Sequence, residues 1–167
     1  HTVAEIGIEN IRTKDVAAYA GFSEATMFRY FPSKEILLRD TFLSIDAKLA
    51  SIMTDSSYFR NPDAAPFELA AYAVWHKLYR YLIDHREETL FLIRYRYSSF
   101  YTDDVRSRLQ ANNGGLEKVF AVFEKHFGKT DPSRRTFLVG YALELTVCLV
   151  EKILSGRVDD NAAAEQA

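Results

Sequence analysis

Apolar residues recur along much of the chain at helical spacing. The longest stripe is Leu38, Phe42, Ile45, Leu49 and Ile52, at i, i+4, i+7, i+11 and i+14. It predicts a helix from Lys34 to about Thr54. Between Lys14 and Glu35 the pattern breaks into shorter pieces. Val16, Ala17 and Ala20 form a narrow apolar face that stops at Gly21, a residue suited to ending a helix. Ser23 is placed as an N-cap, and Glu24 puts a negative charge in the first turn, where the helix dipole favours it. Met27 and Phe31, at i and i+4, point back to a core. Pro32 closes this element, and Ser33 is placed to cap the next. Two short helices about a tight turn are helix-turn-helix grammar, and the second is a candidate for the DNA major groove.

Past the long helix, residues 55–65 collect Ser, Asn, Pro and Asp and read as a loop. Pro66 fits the first turn of a helix reaching about Asp84. That helix carries Ala71, Trp75, Leu78 and Leu82 on one stripe and Tyr72, His76, Tyr79 and Ile83 on the next. From Glu87 to Phe100 the order Arg94-Tyr95-Arg96-Tyr97 alternates like a strand. Helix is still the expectation, since a lone strand among helices has no partner. A short helix over Thr102 to about Gln110 breaks at Asn112-Asn113-Gly114-Gly115. Leu116, Val119, Phe120, Phe123 and Phe127 mark one face of the next, ending at Gly128. Asp131-Pro132 starts a last helix to about Leu154, as N-cap and N1. Apolar residues lie nearly all round this helix, so it should be covered on several faces. The polar, alanine-rich tail from Val158 is expected to fray.

Composition narrows the picture without changing it. A chain of 167 residues makes one domain or two small ones and needs no staple. A lone cysteine, Cys148, excludes an internal disulfide and fits a reducing cytoplasm. No apolar run approaches a membrane span, and no signal peptide is visible. The net charge of −2 argues against a generally adhesive nucleic-acid binder. Between Gly7 and Asp40 cations and anions balance, so DNA contact would rest on placed cations, hydroxyls and helix N-termini. Ten tyrosines and twelve phenylalanines are mainly core material. Buried tyrosine hydroxyls need partners, which favours a cavity with polar points.

At these residues the sequence resembles the tetracycline-repressor (TetR) family of bacterial transcription regulators. The match runs from Gly7 to Leu38, through Ala20-Gly21-Phe22-Ser23 and Ala25-Thr26-Met27-Phe28-Arg29-Tyr30. Its most specific part is Tyr30-Phe31-Pro32-Ser33-Lys34-Glu35. The family has a full helix before Gly7, so His1 to Ile6 would be that helix's tail, and residues ahead of His1 are expected. Phe28 stands where tyrosine is common, and Arg12 where threonine is common. Each change removes a hydroxyl from a phosphate-facing position.

The resemblance implies DNA contacts from Thr26, Phe28, Arg29, Tyr30 and Lys34. Tyr30 and Lys34 would hold phosphates, which positions the protein without specifying sequence. Arg29 would reach a phosphate or a guanine edge, and Thr26 a thymine methyl. Ser23, Glu24 and Ala25 sit at the helix N-terminus, where base contacts are common. Lys14 would hold a flanking phosphate. The resemblance also implies an effector cavity in the second domain. Tyr72, Trp75, His76 and Tyr79, then Phe91, Arg94 and Tyr95, then Tyr141 and Glu144 are its candidates. For any one of them, packing with a satisfied polar tip is the simpler reading. Arg94, on an otherwise apolar segment, needs an anion: Glu144 or a ligand carboxylate. The four histidines share no ligand spacing with one another or with Cys148, so no metal site is expected. No serine or cysteine sits in a nucleophile context, so no catalytic residue is expected.

The expected fold is therefore all-α. A helix-turn-helix DNA-binding domain with a truncated first helix (1–32) is followed by a linking helix (33–54). A regulatory ligand-binding and dimerisation bundle (55–157) and a flexible tail (158–167) complete it. The expected function is a cytoplasmic, homodimeric repressor without cofactor, released from double-stranded operator DNA by a small, mostly apolar or aromatic effector with a polar or acidic group. Phe120, Val139, Ala142, Val147 and Val150 are the expected dimer contacts. Two alternatives stay open: a DNA-binding dimer with a protein partner or no effector, and a helical bundle or enzyme that does not bind DNA.

Overall fold

In the computed structural model, the helices form where apolar spacing and caps put them. The structure describes residues 1–54, 66–112, 117–129 and 131–160. The loop expected over 55–65, the break at 113–115 and the tail from 161 lie outside the described residues. All regular elements among the described residues are helices. They are α1 (Thr2–Ile6), α2 (Thr13–Tyr19), α3 (Glu24–Tyr30), α4 (Lys34–Thr54) and α5 (Phe67–Asp84). Then come α6 (Arg86–Arg96), α7 (Asp103–Asn112), α8 (Glu117–Phe127) and α9 (Pro132–Leu154).

The chain divides into two units. One comprises residues 1–48 and 87–112, the other residues 49–86 and 113–167. In the first, Val3, Ile8, Ala17, Met27 and Leu38 are buried, together with Phe42 and Ile45 of α4. Phe42 has no exposed surface. Its ring stacks on Tyr95, centroids 4.5 Å apart, and meets Tyr101 edge-on. Burying a side chain of this size contributes about 2–3 kcal/mol. Arg94 to Arg96 of the Arg-Tyr-Arg-Tyr run are helical, while Tyr97 to Phe100, expected to continue the helix, form turns. Phe91 and Tyr95, i and i+4, stack within α6, and Glu87, Glu88 and Arg94, Arg96 complement its dipole at the two ends.

In the second unit Leu78, Tyr79, Leu82, Phe120, Val122 and Val150 are buried. Asp131 caps α9 as its sequence predicts, accepting from the backbone N–H of Ser133 at 2.9 Å and of Arg134 at 3.2 Å. At the other end Gly156, with φ of 71°, reverses the chain. The N–H of Arg157 reaches the carbonyl of Lys152, and that of Gly156 the carbonyl of Ile153. The reversal sends the following residues back toward α5. There the Asp160 carboxylate accepts from the Tyr79 hydroxyl and, at 3.2 Å, from Arg80. The beginning of the expected loose tail is therefore tied down.

Candidate nucleic-acid interface and effector cavity

The α2–α3 turn is built by Gly21, whose φ of 75° only glycine adopts freely. The N–H of Phe22 bonds the carbonyl of Ala17 at 2.9 Å and that of Gly21 the carbonyl of Ala18 at 3.1 Å. This pair of bonds ends α2 sharply. Two residues later the Ser23 hydroxyl accepts from the N–H of Thr26 at 3.1 Å and starts α3. The Thr13 hydroxyl donates to the Glu24 carboxylate, which clasps the start of α2 to the start of α3. Ala17 and Met27 close the apolar side of the pair.

The opposite side of α3 is open. Ser23, Glu24, Ala25, Phe28, Arg29 and Tyr30 are exposed, Tyr30 to 74%, and Thr26 is half-buried. Lys14 is exposed at the start of α2. Arg29 and Lys14 make no ion pair among the described residues, so both charges stand free for an anion. Four candidates are already engaged within the chain. Glu24 holds Thr13. The Lys34 ammonium donates to the Glu9 carbonyl at 3.3 Å and lies 5.1 Å from the centre of the Phe100 ring. Thr26 shares a 2.8 Å hydrogen bond with Ser23 through its hydroxyl.

The ligand candidates do not gather in one place. Phe91, Arg94 and Tyr95 belong to the first unit. Arg94 makes no ion pair among the described residues; its guanidinium donates to the carbonyl of Val3, and it lines a groove together with Glu5 and Glu9. Tyr95 is 1% exposed and its hydroxyl donates to the carbonyl of Phe100 at 3.1 Å. Burial pushes that hydroxyl's pKa up to about 12, against a smaller opposing pull from Arg39. In the second unit Tyr72, Trp75, His76 and Tyr79 form an aromatic ladder along α5, with Trp75 and Tyr79 stacked at 5.3 Å. Tyr72 and His76 lie outward, and so do Tyr141 and Glu144 on α9. Tyr141 stacks instead on exposed Phe137.

The second unit contains a cavity of about 250 Å³. Of the nine candidates only Trp75 lines it. The rest of the wall is Met53 from α4, Ala71, Val74 and Leu78 from α5, Val119 and Val122 from α8, and Leu138, Val139, Ala142, Leu143 and Thr146 from α9, with Phe67 and Ala70 at the start of α5. Sequence reasoning looked for aromatic rings with polar tips and passed over these residues. A signal was present: Ala70, Ala71 and Val74 on one helix and Ala142 and Thr146 on the other supply little side-chain volume to fill the space between them.

Some of the expected dimer contacts are already engaged within the chain. Phe120 and Val150 are buried in the chain's own core, Val150 completely, and Val139 and Ala142 line the cavity. Val147 is half-buried. The outward apolar stripe of α9 is Phe137, Tyr141, Leu145 and Cys148, at i, i+4, i+8 and i+11. Because α9 is apolar on every side, its sequence alone does not say which face turns inward.

Among the described residues no cluster of His, Cys, Asp or Glu has the makings of a metal site, and no helix is long and apolar enough to cross a membrane. Residues 2–41 match the family described as bacterial regulatory proteins, tetR family. Among curated proteins none is significantly similar in sequence. Among solved structures, a TetR family transcription regulator from Marinobacter aquaeolei VT8 superposes with a TM-score of 0.75 at 23% identity. That likeness covers 95% of this chain and 80% of the other. A protein from Vibrio parahaemolyticus assigned to the same family of regulators gives a TM-score of 0.67 at 22% identity, over 98% and 87% of the two chains. At such identities the likeness speaks for the fold.

Proposed function

We propose that this chain, a TetR-family transcription regulator by its N-terminal residues, works as a homodimeric repressor that leaves its operator when a small molecule enters the cavity. The observation that carries DNA recognition is the open face of α3. A capped helix clasped to its neighbour presents Ala25, Thr26, Phe28, Arg29 and Tyr30 outward. Residues up to about Pro32 are the reading head in this account, α4 the link, and residues 55–157 the regulatory part.

Effector release is supported by α4. This one helix contributes Phe42 and Ile45 to the core of the first unit and Met53 to the cavity wall in the second. A ligand that prefers one arrangement of the cavity walls would shift α4 and with it the head. It can do so only by its difference in affinity between the two arrangements. Dimerisation is supported by the outward stripe of α9, which a second copy would cover. Repeated selection from random duplex DNA tests the reading. Enrichment of a palindromic site is expected, and no enrichment at low salt overturns it.

A further inference from the structure

The cavity has a more restricted chemistry than an effector site in general. Its described wall carries no charged side chain. Its two polar groups are the indole N–H of Trp75 and the hydroxyl of Thr146, and they satisfy each other at 3.0 Å. The Thr146 hydroxyl donates in turn to the carbonyl of Ala142 at 2.9 Å. The cavity opens to solvent beside Ala71, Leu138 and Ala142, which are exposed, and an ionised ligand group seated inside that mouth would lose its hydration and meet no counter-charge among the described residues.

The volume sets a size. An apolar cavity of roughly 150 Å³ stays dry and holds benzene. In proportion, about 250 Å³ suits a ligand of about ten non-hydrogen atoms. We infer that the cavity takes an uncharged, hydrocarbon-like molecule of that size, such as a monocyclic terpene. A single hydroxyl or carbonyl would be tolerated by opening the Trp75–Thr146 bond. The ligand's regulatory meaning rests on the effector reading above, but its class is testable without DNA.

Trp75 is the chain's only tryptophan, so its fluorescence reports on the cavity wall directly. The test titrates DNA-free protein at pH 7.5 with limonene and with perillate, the same skeleton bearing a carboxylate. A saturable change with limonene is expected, with perillate weaker by at least about 30-fold. Ala71→Phe should fill the cavity and abolish the limonene response. If that variant fails to fold by circular dichroism, Ala71→Leu should weaken the response. Tighter binding of perillate, no response to either compound, or unchanged limonene binding in the folded Ala71 variant overturns the ligand class. The same limonene titration is then run on the protein bound to its selected operator. Limonene that binds but does not release DNA supports the ligand class and overturns the effector reading.

Discussion

On the proposed reading, single side chains decide how the exposed face of α3 meets DNA. Lys34 is shared between the Glu9 carbonyl and the Phe100 ring, so its charge is held in place, not free in solvent. A fixed ammonium holds a phosphate without reading bases. Lys34→Ala should weaken binding equally on operator and random duplex and reduce the slope of log affinity against log salt by about one unit. A gel-shift series across salt checks this; an unchanged slope removes Lys34 from the phosphate contacts. Tyr30→Phe should also weaken both duplexes alike. Arg29→Ala should lower discrimination between operator and random sequence if the guanidinium reads a base. An unchanged preference makes it a phosphate contact. Tyr95 offers a different measurement. Its hydroxyl, with a pKa near 12, keeps its proton more tightly in the folded chain than in the unfolded one, where it titrates near 10. Tyr79 is raised to about 12 as well, by burial first and then by Asp160. Raised values mean that this contribution to stability is whole below pH 10 and is lost as pH climbs toward 12. Denaturant midpoints should therefore fall across that window. Tyr95→Phe should shallow the fall, and an equal fall in that variant would refute the assignment.

At the scale of elements, the helices of the reading head were legible from sequence because each boundary has a local cause. Gly21 ends α2, Ser23 starts α3, and the Ser33 hydroxyl accepts from the N–H of Ile36 at 3.3 Å at the start of α4. The stripe through Leu38, Phe42 and Ile45 was equally legible, since the three recur at i, i+4 and i+7 and all are buried. The facing of α9 was not, for there the apolar residues run round the helix and only tertiary packing selects a side. Nor was the cavity, which is an absence of side-chain volume between Ala71 and Ala142. Arg94 misled for a related reason. Its charge suggested an anion, while the available acceptor was a backbone carbonyl distant in sequence. The inward and outward faces of α9 differ measurably. Val150→Ala, at a fully buried position, should destabilise by about 2 kcal/mol. Val147→Ala, half-buried, should cost less. Thermal unfolding of the two variants compares them, and equal losses would contradict the facing of the helix.

For the molecule as a whole, the outward stripe of α9 sets the expected assembly. Phe137, Tyr141 and Leu145 are each more than half exposed, and an exposed apolar row of this kind marks an interaction surface. The stripe would meet its own copy across a two-fold axis, so every residue counts twice. A stable interface of this kind covers more than about 1,000 Å² and is apolar at its centre. Leu145, which lies between Tyr141 and Cys148 on the stripe, is the better place for a disruptive charge than Val150, where a charge would unfold the core. Leu145→Glu should give a folded monomer at micromolar concentration in sedimentation, with helix content unchanged. Val147→Glu, half-buried beside the stripe, should weaken the dimer less. A monomer reads one half-site where a dimer reads two, spaced about 34–36 Å apart on successive major grooves. Operator affinity of Leu145→Glu should therefore collapse toward that for random duplex, although every α3 contact is intact. A variant that stays dimeric would place the interface elsewhere on the chain, and a monomer that retained full operator affinity would show that pairing of the heads is not what binding requires.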